Sequence, residues 1–235
     1  VVSDLAREVV GEFGRIDVWV NNAAAIAYGR LEEQPGEVWR GVIETNIFGT
    51  YHGVRAVLPW FREQGHGTII NVGSILSKAE GPYQSAYVAS KFAIRALSTT
   101  VRQEIRDVPD IHVSTVLVAA VDTPLFRSGP NATGRQVVPP GPAIDAGRIA
   151  NAIVRNAQSP RREIVVGGST RLGLLSGRIS PALTEFASAR IVDRQHFTKE
   201  PAAQTEGNVL PRGTRTRRLT EGGATTIGDE VAAVL

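Results

Sequence analysis

Tyr87 and Lys91 stand four residues apart in "SAYVASKFAIRAL" (85–97). On a helix, residues at i and i+4 share one face about one turn apart. A phenol has a reference pKa of about 10 and is a poor acid or base at neutral pH. A nearby ammonium favours the phenolate and lowers that pKa. A general acid/base works best when its pKa approaches the operating pH, so this pair has the makings of a proton shuttle. The residue type is informative too: of 26 cationic residues only Lys78, Lys91 and Lys199 are lysines. Lysine's flexible point charge can donate to two ribose hydroxyls, which the planar guanidinium fork suits less well. The spacing alone is also what an ordinary surface pair would show.

Three further features bear on that alternative. Ser74 ends the run "GTIINVGS" (67–74), thirteen residues before Tyr87. In an open α/β sheet ligands sit beyond the carboxyl ends of strands, where a hydroxyl can hydrogen-bond a substrate carbonyl. Asn46, in "ETNIFGT", falls inside a long helical pattern, where Asn has poor propensity. A buried amide there needs a partner: a catalytic water, or a helix cap at a kink. "NNAAA" (21–25) ends the first visible strand, again at a carboxyl edge.

The elements that must position these residues follow from periodicity. Residues 3–13 have helical spacing, closed by Gly14, and Ile16 to Val20 form a short apolar run. Such runs are typical of strands buried on both faces of a parallel sheet. A helix is expected over 35–64 with a break near Pro59, a strand over 67–74, a helix over 84–107 and a strand over 111–120. A loop spans 124–143. Then come a helix over 145–158 with Asp145 as N-cap, a strand over 162–168 and a helix over 170–189. Beyond about 190 the composition turns polar and Gly/Thr-rich, and no firm structure is expected. Alternating strands and helices mean βαβ crossovers and a doubly wound parallel sheet.

Only four strands are visible, and the pattern opens on a helix. Neither G-x-G-x-x-G, T-G-x-x-x-G-x-G nor G-x-x-x-x-G-K-[ST] occurs, although a dinucleotide-binding sheet normally has six or more strands and a Gly-rich turn after the first. The expectation is an α/β, Rossmann-type fold, N-terminally truncated by about two βα units. The Rossmann part occupies 1–190, and 191–235 forms a polar, partly disordered C-terminal extension. The Ile16–Val20 strand would then be an exposed edge, inviting pairing or aggregation.

Bulk composition narrows the function classes. The chain has 235 residues, a 42% apolar fraction, a net charge of +3, no Cys and no Met. Without cysteine there is no disulfide framework, Cys-ligated metal or Cys nucleophile, in agreement with a cytoplasmic location. His52, His66, His112 and His196 show no metal-ligand spacing, so no metal is expected. No apolar run reaches the ~18 residues that span a bilayer. The basic "PRGTRTRR" (211–218) lacks the interleaved aromatics that stack on bases, so a solvated tail is expected rather than a nucleic-acid arm. "NAT" at 131–133 fits the N-glycosylation pattern, but no signal peptide opens the chain.

Taken together, "NNAAA", Asn46, "NVGS", "YVASK" and "VDTP", in this order and at these intervals, resemble the classical short-chain dehydrogenase/reductase family over residues 3–190. The resemblance implies a Rossmann domain with a seven-stranded parallel sheet and hydride transfer between NAD or NADP and an alcohol/carbonyl pair. It implies that Tyr87 is the general acid/base, that Ser74 polarises the carbonyl, and that Lys91 lowers the Tyr87 pKa and holds the nicotinamide ribose. Asn46 would position a water in a relay ending at Lys91. Asn21 and Ala23 would lie beside the adenosine half of the cofactor, and Val121 and Thr123 would meet the nicotinamide carboxamide. Family members usually pair through the helices matching 35–64 and 84–107, which implies a homo-oligomer. There are departures: Ala24 replaces the family's usual Gly, and Val118 and Ala119 stand where Pro-Gly usually precedes the Thr. A non-catalytic remnant offering only an interaction surface is the alternative function. The segment 125–145 is expected to wall the substrate pocket, without naming the substrate.

Overall fold

The computed structural model describes residues 1–141, 143–167 and 181–210. Its elements in chain order are α1 (Val2–Phe13), β1 (Val18–Asn21), α2 (Gly36–Ile43), α3 (Gly49–Gln64), β2 (Gly67–Ser74), α4 (Ser85–Glu104) and β3 (Ile111–Val118). They continue with α5 (Leu125–Ser128), β4 (Arg135–Val137), α6 (Ala146–Gln158), β5 (Glu163–Val166), α7 (Pro181–Gln195) and β6 (Phe197–Pro201). Strands β1, β2, β3 and β5 form one parallel sheet in that spatial order.

The helices start and stop where local chemistry dictates. Gly14 and Gly65, with φ of 77° and 76°, end α1 and α3 in the left-handed conformation that glycine adopts without penalty. Asp145 caps α6, its side chain accepting from the Arg148 N–H. Because β2 and β3 are covered on both faces, they read as near-continuous apolar runs. On one face Ile69 and Val113 pack against Val54, Val57 and Phe61 of α3 and Val101 of α4, with Ala6 of α1 outside them. Helix α6 lies against the same two strands. Strand β1 carries Val18 and Val20 at 37% and 40% exposure, while Ile16, expected within that open edge, is buried.

Several expectations are corrected. The pattern over 35–64 does not break at Pro59, which sits inside α3. The anchored residues Val57 and Phe61 on either side hold the helix through it. The interruption is instead a π-helical turn at Glu44–Phe48, with the Gly49 N–H reaching back to the Glu44 carbonyl. The loop expected over 124–143 contains α5 and β4. Residues beyond 190, expected to lack firm structure, continue α7 to Gln195 and then form β6, which pairs antiparallel with β4. Phe197, Val209 and Leu210 from this stretch pack into a second apolar cluster with Ala25–Tyr28, Val38, Val42 and Tyr87. The first part of the helix expected over 170–189, and the basic stretch 211–218, lie outside the described residues. The resemblance implies seven strands; the described parallel sheet has four.

Candidate active site

Register places the candidate residues at one rim. Ser74 pairs with Val118, so β2 and β3 end at the same level, and Val118 pairs with Val166 at the end of β5. Val121 and Thr123 follow directly beyond β3, half-buried, with Val121 bridged to Ile144. Helix α4 begins at Ser85, eleven residues after Ser74, and brings Tyr87 back over the same rim.

Ser74, Tyr87 and Lys91 come together as expected. All three are buried, at 5%, 7% and 2% exposure. Ser74 Oγ accepts from the Leu76 N–H at 3.1 Å, which leaves its own proton free to be donated. It lies in hydrogen-bonding reach of the Tyr87 phenol. Lys91 and Tyr87 share one face of α4, with Nζ 5.4 Å from the phenol ring centroid. The ammonium donates to the Val72 carbonyl at 3.0 Å.

The electrostatics differ from the sequence expectation. Burial pushes the Tyr87 phenol up to about 12, against the opposing hydrogen bond with Ser74. Burial also brings the Lys91 ammonium down to about 8. Desolvation of the phenolate is the larger influence on Tyr87 here, with the Ser74 hydrogen bond opposing it.

Asn46 is fully buried in the π-helical turn. The extra residue of such a turn rotates one side chain out of the helical repeat, here toward the loop after β1. Asn46 Oδ1 accepts from the Ala25 N–H at 2.7 Å, and Nδ2 donates to the Ala25 carbonyl at 2.9 Å and to Ser90 Oγ at 2.8 Å. Ser90 in turn donates to the Tyr87 carbonyl at 2.7 Å. Both amide protons are thus taken by protein groups, where the resemblance implies a positioned water. The amide clamps the loop after β1 to the first turn of α4.

Asn21 and Ala23 part company. The Asn21 side chain accepts from Trp19 Nε1 at 2.9 Å and donates to Asn71 Oδ1 at 2.8 Å, while Asn71 donates to Ser98 on α4 at 2.9 Å. Asn21 is therefore bound into the sheet, whereas Ala23 is exposed beyond its rim.

Other residues at the site escaped the sequence reading. Tyr28 is 1% exposed, and among the described residues its hydroxyl has no hydrogen-bond partner. Its phenol is raised, chiefly by burial and then by Tyr87, with which it shares the second apolar cluster. The Tyr28 ring lies tilted against His196 at 5.6 Å and meets Phe197 edge-on at 6.1 Å. Burial keeps the His196 imidazole below its ordinary value. Tyr83, before α4, holds φ at 66° and accepts from the Gly29 N–H at 2.9 Å, fixing the Tyr28 loop to the approach of α4. None of these carries a signal in the sequence, whereas Asn71, a polar residue within an apolar strand, does.

A parallel sheet whose rim carries a buried Ser–Tyr–Lys set defines a class, and comparison with known proteins identifies it. A family model for short chain dehydrogenases matches residues 1–133, and the chain belongs to that family. It is 27% identical over 217 residues to the uncharacterized oxidoreductase YxnA of Bacillus subtilis, covering 89% of this chain and 60% of that protein. It is 31% identical over 170 residues to the 3-alpha-(or 20-beta)-hydroxysteroid dehydrogenase of Mycobacterium bovis, covering 70% and 64%. The crystal structure of a short chain dehydrogenase from Burkholderia cenocepacia in complex with NADP superposes with a TM-score of 0.64 at 27% identity, covering 77% of this chain and 74% of that one. The chain thus spans less than two thirds of the length of these two curated relatives.

Proposed function

We propose that this chain carries the reacting half of an NAD(P)-dependent oxidoreductase that interconverts an alcohol and a ketone or aldehyde. The observation that supports this most strongly is the meeting of the Ser74 hydroxyl and the Tyr87 phenol beyond the end of β2, with the Lys91 ammonium one turn below.

The residues present fit a nicotinamide cofactor. Lys91 has three N–H donors, and among the described residues the only recorded acceptor is the Val72 carbonyl. Two donors remain for a pair of ribose hydroxyls, in a site where an unsatisfied buried ammonium is costly. Val121 and Thr123 lie beyond the neighbouring strand, where the carboxamide would be held, and exposed Ala23 leaves backbone free near the adenosine half. The choice between NAD and NADP stays open. When bound, the cofactor supplies or accepts the hydride.

The chain's own groups handle the proton and the oxygen. In the reducing direction Tyr87 donates its proton to the substrate oxygen as negative charge develops there. Ser74 donates a hydrogen bond to the same oxygen, stabilising charge that grows in the transition state. A phenol held protonated by burial is a ready donor. The Lys91 charge gains weight once substrate and cofactor exclude the remaining water, because low dielectric strengthens its attraction to a developing phenolate. In oxidation the same groups run in reverse. Tyr28, Tyr83, Phe126 and Phe197 pack with Tyr87 in the second apolar cluster, and the substrate class such surroundings favour is apolar around its reacting carbon.

A homo-oligomer through α3 and α4 belongs to this reading. Phe48, Tyr51 and Phe92, on or beside those helices, are 37–43% exposed. A second reading, a non-catalytic interaction module, draws on the exposed Val18 and Val20 of the β1 edge. Among the described residues no helix is long and apolar enough to cross a membrane. The deciding experiment is NADH and NADPH titration followed by turnover on a panel of alcohols and ketones. Cofactor binding, with turnover that is lost in Tyr87→Phe, supports the enzyme; self-association that charged substitutions of Val18 and Val20 abolish, with no cofactor binding, favours the module.

A further inference from the structure

The opposite end of the sheet holds a second site. A cavity of about 330 Å³ lies between the end of α4 and the amino ends of β3 and β5. That volume falls at the lower end of the range for small-molecule pockets. Strand β3 separates it from Ser74 and Tyr87: the cavity wall reaches Ser114, four residues before Val118 at the rim, about 13 Å at roughly 3.3 Å each. It is therefore not an annex of the rim described above.

Its lining is basic. Arg102, Arg106, Arg161, Arg162 and His112 contribute, and no carboxylate does. Of the nearby acids, Asp107 pairs with Arg62 and Glu163 with Lys78 and Arg95, while exposed Glu104 and Asp110 flank lining residues without joining the wall. Among the described residues none of the four lining arginines has an ion-pair partner. The Arg102 guanidinium is oriented by protein, donating to the Val113 and Arg162 carbonyls at 3.0 and 3.2 Å and to Thr99 Oγ1 at 2.9 Å. Among the described residues its buried Nε has no partner. Burial first, then the Arg162 charge, hold this guanidinium below its ordinary value; Glu163 opposes them and Arg95 adds to them.

Four like charges around one concavity repel one another; Arg102 braces β3 against the approach to β5, but among the described residues the exposed Arg161 and Arg162 side chains have no hydrogen bond that accounts for their place. An anion relieves the repulsion, and guanidinium forks match phosphate oxygens two at a time. The remaining walls, Ile105, Val108, Pro109 and Pro160, are apolar, and suit the carbon portion of a ligand larger than a bare ion. We propose that this cavity binds a phosphomonoester, its phosphate held by Arg102, Arg161 and Arg162 and its organic part against the two prolines.

The test uses the full chain and three probes at constant ionic strength: inorganic phosphate, phenyl phosphate and phenol. Arginine Nε–H resonances and calorimetry are the readouts. Phenyl phosphate is expected to bind saturably, with shifts at Arg102, Arg161 and Arg162, and at least several-fold more tightly than inorganic phosphate; phenol should not bind. R161A/R162A should weaken phenyl phosphate at least tenfold. These two side chains are exposed and their structural hydrogen bonds run through the backbone, so a thermal melt should match the parent. Arg162→Glu provides a second variant, and Arg148→Ala, on α6, should leave binding unchanged. Non-saturating shifts shared with chloride, equal binding by the double variant, or tighter binding of an RNA oligonucleotide than of phenyl phosphate would each overturn the proposal.

Discussion

Lys91 Nζ sits 5.4 Å from the centre of the Tyr87 ring and donates to the Val72 carbonyl at 3.0 Å. The ammonium thus lies beside the phenol it is expected to serve, fixed to the neighbouring strand. Geometry and proton affinity separate here: the pair is assembled, yet burial sets the phenol's affinity at about 12.

Removing the donor isolates the chemistry. Tyr87→Phe is expected to cut turnover by about 10²–10⁴-fold, the range that general acid/base groups contribute. Ser74→Ala should cost about 10²–10³-fold, as for loss of one donor to a developing oxyanion. Steady-state rates with unchanged circular dichroism would check both. Equal rates in Tyr87→Phe and the parent would remove Tyr87 from the mechanism.

The two buried groups predict a stability maximum in alkali. Lys91 titrates at about 8 when folded, against 10.5 ordinarily. Between those values the unfolded chain binds more protons, so stability rises with pH. Tyr87 titrates at about 12 when folded, against 10.0. Between those values the folded chain keeps its proton, so stability falls. Urea midpoints measured from pH 7 to 12 should climb to about 10 and then drop. Lys91→Met should lose the climb and keep the drop.

Asn46→Ala should act on stability before chemistry. It strips the partner from the N–H and the carbonyl of buried Ala25. Orphaned buried groups cost about 1–3 kcal/mol each, so a loss of roughly 2–6 kcal/mol is expected by chemical denaturation. A loss under about 0.5 kcal/mol would mean water replaces the amide.

Gly53→Ala separates packing from propensity. Alanine is the better helix former by about 1 kcal/mol, but a Cβ at position 53 would overlap Asn21 Oδ1 and Trp19 Nε1. Overpacking of this kind costs about 1–3 kcal/mol. The variant should be less stable than the parent, by an amount that Asn21→Ala largely restores.

Glu163 ties β5 to α4 and to the turn after β2 through Arg95 and Lys78. Burial pushes its carboxyl up, but the hydrogen bonds from Lys78 and Arg95 win and hold it below 4.5. Stability from this group is present above 4.5 and lost as pH falls through the lower folded value. Glu163→Gln should therefore show a shallower acid limb than the parent in melts from pH 6 to 2.5.

Residue order alone determined the parallel α/β pattern, the strand over 67–74, the Asp145 cap and the shared helical face of Tyr87 and Lys91. These rest on local periodicity and on contacts one turn apart, and both are written in consecutive residues. Tertiary structure decided the rest. It placed the π-helical turn that turns Asn46 inward, and it paired β4 with β6 across some sixty residues of chain. It closed Phe197 and His196 over Tyr28, and it gathered four arginines at the amino end of the sheet. It also set the proton affinities of Tyr87 and Lys91. Burial, unlike spacing, depends on what distant segments bring to a residue, and the cost of desolvating a charge is fixed only when they have packed.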